Sequence, residues 1–393
     1  MSALVVLLLV LAPPVAREPV GGSDLGQTTD PLERRVASLL AGEPIRVGAV
    51  SIVPLHARVP SEAGRGSPAT ILWADNRLVA RFLEEDGESY LRVVNPSPDT
   101  ILLAAGTVFA RGNAEVAVAR DVVIPGDFAA IVPAAALRAA GPATDLVRIG
   151  RIPPRATGSL LAGLPAFRGA LAGISALRGE NLLVTALKSG PVQARRNALA
   201  NACVPEMEGA WGTAVGAIFL VADRPVSAHV FARHDVFMAA LQDLLLGVSL
   251  EAREEEARRG RAQPGEAPVD VRGRALGWLR ALLRADVSWS ESYGEGFETL
   301  AASPTRSAVV HAVVDGQGVL VHAGFHGAVP IPLAVKAGGP PIPPPDPPGN
   351  PDETPGFQRR ARPTVADQRR AETNPNPNPG PGPDAGPGGG RPR

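Results

Sequence analysis

One cysteine, Cys203, stands in the 393-residue chain, so no internal disulfide framework exists and packing must supply the stability. With no histidine beside it to act as a base, Cys203 reads as a buried structural thiol rather than a nucleophile. Lysine is scarce too, with Lys188 and Lys336 alone, and arginine carries nearly all the positive charge. Lys+Arg and Asp+Glu are both 39, giving a net charge of zero, and no long block of one sign interrupts the chain. That balance excludes a nucleic-acid footprint, which needs clustered cations. Aromatics make up only 4%, so Ala, Val and Leu must fill the core. The unbroken apolar stretch ALVVLLLVLA at residues 3–12 is about half the length of a membrane-spanning helix. It matches the hydrophobic region of a secretory signal, with Pro14-Val15-Ala16 offering a small residue for cleavage. Residues 1–22 are therefore expected to be a signal and short linker, the mature chain to lack a transmembrane span, and the protein to be secreted, periplasmic or held in the cell envelope. No P-loop, dinucleotide fingerprint, nucleophile elbow or zinc-finger spacing is present, so nucleotide chemistry and the standard hydrolase classes find no support and no cofactor is expected.

What remains is well patterned. Hydrophobic residues are 45% and charged residues 20%, enough apolar material for a core of domain size. Asp30, Pro31 and Glu33 open a helix by capping, with Leu32, Val36, Leu39 and Leu40 on one face before Gly42. The period then shortens to that of strands over 45–57, 69–85, 89–95, 100–110, 115–124 and 128–134, punctuated by Asp86-Gly87, Asn95-Pro96-Ser97-Pro98, Arg111-Gly112-Asn113 and Pro125-Gly126-Asp127. Residues 153–180 suggest loose helix or loop, and 181–187 a strand. The clearest helix runs from Asp235 to Arg259, its first half buried and its second solvated. A second helix carries Leu276, Leu279, Leu282 and Leu283, and residues 307–325 form a hairpin turning at Asp315-Gly316. The fold expected is α+β: an antiparallel β-rich sheet or sandwich with a few packed helices. Its globular domain covers 30–335, with a β-rich half over about 45–135 and a mixed half over about 180–330. Residues 338–393, rich in Pro and Gly, cannot build a core and are expected to be a disordered tail or tether.

The segments YLRVVNPSPDTILLAAGTVFARGNAEVAVARDVVIPG (90–126), GAIFLVADRPVSAHVFARHDVFMAALQDLLLG (216–247) and VVHAVVDGQGVLVHAGF (309–325) resemble, in that order, the ARG and rhodanese-phosphatase-superfamily-associated protein domain. The shared features are a leucine-rich strand followed by glycine and a turn, a GAIF strand running into a Phe-containing helix, and a terminal strand ending in VH and a Phe. The resemblance spans about 45–330 and implies a mixed, β-rich fold of unassigned activity. It carries no catalytic residues across, because the family's cysteine and its acidic, Arg and Trp cluster are missing around IVPAAALRAAG.

Several polar groupings are candidates for chemistry. His322 and His326 lie four apart and share a face if their strand continues, with His311 on the partner strand; two imidazoles on one face are a minimal metal clamp. Gly324 and Gly327 suggest instead that the strand is ending. His229 and His234 are five apart and fall on opposite faces of a strand, and His234-Asp235 reads as a helix start. Glu206 and Glu208 would point together from an extended loop. Trp289, Glu291, Tyr293 and Glu295, with Glu298 nearby, form an aromatic-edged loop suited to recognition. The function expected is an exported, non-enzymatic domain that binds a small molecule or protein partner. The alternative is a metal-dependent hydrolase using His322 and His326 with an acidic loop residue.

Overall fold

The computed structural model describes residues 18–19, 30–58, 71–74, 77–85, 88–137, 143–172, 174, 182–208, 214–259, 270–283, 289–292, 297–305, 308–315 and 319–327. The apolar run at 3–12, the Pro/Gly-rich segment 338–393, and Tyr293 and Glu295 lie outside them. In chain order the elements are β1 (Glu18–Pro19), α1 (Pro31–Ala37), β2 (Leu39–Ala41), β3 (Ile45–Val47), β4 (Val50–Ala57), β5 (Ile71–Trp73), β6 (Val79–Glu85), β7 (Glu88–Asn95), β8 (Thr100–Leu103), β9 (Thr107–Arg111), β10 (Ala114–Val118), β11 (Val122–Ile124), β12 (Phe128–Ala136) and β13 (Ala143–Arg151). There follow α2 (Pro154–Ala162), α3 (Leu164–Ala172), α4 (Leu183–Leu187), α5 (Gly190–Glu208), β14 (Ala214–Val221), β15 (Arg224–Phe231), α6 (His234–Arg259), α7 (Val271–Leu283), β16 (Trp289–Ser292), β17 (Phe297–Thr305), β18 (Ala308–Asp315) and β19 (Leu320–Gly327). The α+β class stands, with antiparallel sheets.

The strands build three bodies. A large sheet has the order β1-β2-β4-β14-β15-β19-β18-β17-β16 with β3 added to β4; β10-β12-β7-β6-β13-β9 close a barrel; and β11-β8-β5 form a small sheet. Within the β-rich half most of the antiparallel strands close into the barrel, while β5, β8 and β11 form the small sheet and β3 and β4 belong to the large one. Strands β4, β14 and β18 are buried along their whole length, as strands covered on both faces must be. One face packs on α1 and α7 through Leu32, Val36, Leu276, Leu279, Ile218, Val230, Val310 and Phe325. The other packs on α5 and α6 through Leu199, Cys203, Phe237, Leu241, Phe219, Phe231 and Val313. Burial pushes the Cys203 thiol up to about 12, the inert state expected of a packing cysteine.

Local chemistry explains where the elements depart from expectation. Asp30 caps α1 by accepting from Leu32 N and Glu33 N at 2.8 and 3.1 Å, but the helix stops at Ala37 and Leu39 and Leu40 enter β2. Residues 183–187 are a helical turn, not a strand, because the buried Glu115 carboxylate accepts from Leu183 N and Val184 N at 2.9 and 2.8 Å and so satisfies the amides that open it. Glu206 and Glu208 close α5 rather than lying on an extended loop, and Trp289 and Glu291 are in β16 rather than a loop. The second half of α6 is not solvated throughout: Glu251, Glu254 and Glu255 are buried, and Arg155 pairs with Glu251 and Glu255 at 3.5 and 3.4 Å. Burial raises the Glu251 carboxyl. Among the described residues no helix is long and apolar enough to cross a membrane.

Candidate metal centre

Strand β19 does not end at Gly324; it runs to Gly327, so His322, Gly324 and His326 occupy alternate positions on one face. Register then places a histidine on either side of the central glycine: His229 of β15 and His311 of β18 both pair with Gly324. Four of the six histidines in the chain thereby surround one residue without a side chain. A Cβ on Gly324 would fall 2.0 Å from His311 Nε2, so glycine is what admits the ring. Gly324→Ala is expected to cost about 1–3 kcal/mol of stability by overpacking, measured by urea unfolding; an unchanged midpoint would show that the ring moves freely.

The four rings close on one another. His229 stacks on His322 and His311 on His326, with centroids 5.5 and 5.1 Å apart, and the cross pairs His229 with His326 and His311 with His322 stand at 5.1 and 5.6 Å. All four are 3% exposed or less. Into this group reaches Asp121, from the connection between the barrel strand β10 and β11. His322 Nδ1 donates to Asp121 Oδ2 at 2.6 Å. His311 Nδ1 lies 2.9 Å from the same oxygen but off the line of a good hydrogen bond. Ala105 N donates to Oδ1 at 2.7 Å. Outward, His322 Nε2 meets His229 Nδ1 at 3.2 Å and His311 Nε2 meets His326 Nε2 at 3.0 Å. Asp121 thus sits at the middle of a chain of four imidazoles.

Electrostatics sort the charges. Burial opposes ionisation of Asp121, yet the flanking His311 and His322 outweigh it and hold the carboxyl well below its usual range. Burial, and then the adjacent imidazoles and Arg151, push His229 and His326 well below the ordinary imidazole value. His322 is also lowered by burial, with Asp121 opposing. These three rings are therefore neutral beside a carboxylate, the state in which imidazole binds a metal. Arg151, lowered by burial to about 10 while Asp121 opposes, lies over Trp73 with its guanidinium carbon 5.6 Å from the ring centroid and donates from Nη2 to Ala105 O at 2.7 Å.

Asp121, His311 and His322 offer donor atoms all within 4.8 Å of one another. Two imidazoles and a carboxylate suit zinc or another divalent first-row metal. The pair His322 and His326 predicted from sequence does share a face, but the structure groups His322 with His311 and Asp121 and puts His326 outside them. Among the described residues the acidic group beside these histidines is Asp121; Glu295 and the side chains of Glu206, Glu208 and Glu291 lie outside them. His229, read as an isolated strand residue, joins the cluster, while His234 begins α6 and bonds Ala214 O through Nδ1 at 2.6 Å. No family model, curated protein or solved structure matches this chain.

Proposed function

We propose that this chain is an exported ligand-binding domain whose ligand is a divalent transition metal, held by Asp121, His311 and His322. The observation carrying this reading is the convergence of Nδ1 of His311 and His322 on one buried carboxylate oxygen, at 2.9 and 2.6 Å. A metal in place of the two Nδ1 protons would take two nitrogens and one oxygen as ligands. His229 and His326 would receive the remaining N–H of each ligating ring, the outer support that metal-bound histidines commonly have. Full burial favours retention of an ion over turnover of a bulky substrate, so binding is preferred to the metal-dependent hydrolase. Export rests on the apolar run at 3–12 and is read from the mass of the mature N-terminus. For the metal, the protein purified without chelator is expected to carry about one equivalent, given one set of three ligands, and His322→Ala to carry none. Metal-free protein that also fails to take up zinc on dialysis overturns the reading.

A further inference from the structure

The outer histidines lead to a second feature, and its interpretation rests on the metal reading above. His229 and His326 line a cavity of about 10 Å³ together with Arg151, Thr157, Ser227 and Asp243, large enough for one water-sized occupant. Arg151, Ser227 and His326 are each 3% exposed or less. Arg151 Nη1, Ser227 Oγ and His326 Nδ1 have no hydrogen-bond partner among the described residues. Asp243 is already engaged, accepting from Trp73 Nε1 at 2.6 Å and pairing with Arg148.

A neutral imidazole carries one N–H, so the polarity of the whole chain follows from its centre. Asp121 accepts from Nδ1–H of His322, and its carboxylate oxygen 2.9 Å from His311 Nδ1 favours the hydrogen on that nitrogen too, so the Nε2 atoms of both rings are lone pairs. His229 must then donate from Nδ1 and His326 from Nε2, which leaves His326 Nδ1 and His229 Nε2 as acceptors at the outer ends. A metal on the two central Nδ1 atoms reverses this. Their single hydrogens move to Nε2, the facing nitrogens become acceptors, and the outer hydrogens shift to His229 Nε2 and His326 Nδ1. Every ring keeps one hydrogen, and none leaves the protein.

We propose that metal loading converts this cavity into a binding site for a compact monovalent anion. In the loaded state Arg151 Nη1, the Ser227 hydroxyl and the His326 Nδ1–H are all donors to the same space, with His229 beside them. Charge agrees: the carboxylates of Asp121 and Asp243 balance the guanidinium groups of Arg148 and Arg151, so a divalent ion leaves the neighbourhood positive by two. Buried donors without acceptors in such a field favour an anion over water.

The test is calorimetric titration of sodium fluoride, an anion close to water in size, into the full chain in three forms: chelator-treated, zinc-loaded, and zinc-loaded Ser227→Ala. Fluoride is expected to bind the zinc-loaded chain at least about tenfold more tightly than the metal-free chain, and Ser227→Ala to lose about fivefold while keeping its zinc, as loss of one charge-assisted donor predicts. Equal fluoride affinity with and without bound zinc overturns the coupling and leaves the metal reading intact. An unchanged affinity in Ser227→Ala overturns the cavity as the site, pointing to fluoride on the metal itself. Failure to bind zinc at all overturns both readings together.

Discussion

Asp121→Ala is expected to destabilise the chain by about 3–5 kcal/mol, the cost of removing one partner from a buried charged network. The carboxylate accepts from the Ala105 amide and from His322, and stands against His311, so the substitution leaves several buried donors with nothing to receive them. It also cuts the tie between the β10–β11 connection and the large sheet, since Asp121 and His322 are 201 residues apart in sequence. Asp121→Asn separates charge from shape. Its carbonyl oxygen can still accept from Ala105, but its amide cannot receive an imidazole N–H, so an intermediate loss of stability together with loss of zinc is expected. Urea unfolding of chelator-treated wild type and both variants measures this. A change below about 1 kcal/mol in Asp121→Ala, the net worth of one ordinary hydrogen bond, would show that the histidines are satisfied without the carboxylate.

How much of this centre the sequence displays depends on distance along the chain. The pairing of His322 with His326 on one face follows from the two-residue period of a strand, and the hairpin signal at 307–325 brings His311 alongside, since both are local. The role of His229 is not local: it depends on β15 lying next to β19 with His229 opposite Gly324, a register that no periodicity in 224–231 encodes. Gly324 misled for the same reason. Inside a strand, a glycine marks either an end or a close approach, and only the ring of His311 on the next strand decides between them. Asp121 follows an arginine in a short break between two valine-rich strands, where an acidic residue looks like turn chemistry. Residues 183–187 failed as a strand because the Glu115 carboxylate that opens their helical turn comes from 68 residues away. The elements whose existence was legible, the start of α1, α6, α7 and the terminal hairpin, are those whose caps, stripes or turns lie within their own segments.

The buried histidines give the metal-free chain a steep response to acid. Burial lowers the imidazoles of His229, His322 and His326, so below the ordinary value of about 6.5 the unfolded chain takes up protons that the native chain does not. Stability therefore falls as pH drops from about 6.5 and continues to fall until the lowered native values are reached. Three groups contribute at most about 4 kcal/mol per pH unit at full slope. Asp121 works in the same direction at lower pH: its carboxyl is depressed in the native state, so its contribution is present above about 3.9 and fades only as pH falls through the native value. Arg151, Arg148 and Asp243 are the other charged groups packed around the cluster. Urea midpoints of chelator-treated protein at pH 7.5, 6.5 and 5.5 are expected to show stability falling modestly over the first step, by about 1 kcal/mol, and about three times as much over the second. His229→Phe, which removes one of the three titrating rings while filling its space against His322, should reduce the slope by about a third. A midpoint that stays flat down to pH 5.5 would mean that the rings take up protons in place, as readily in the native chain as in the unfolded one.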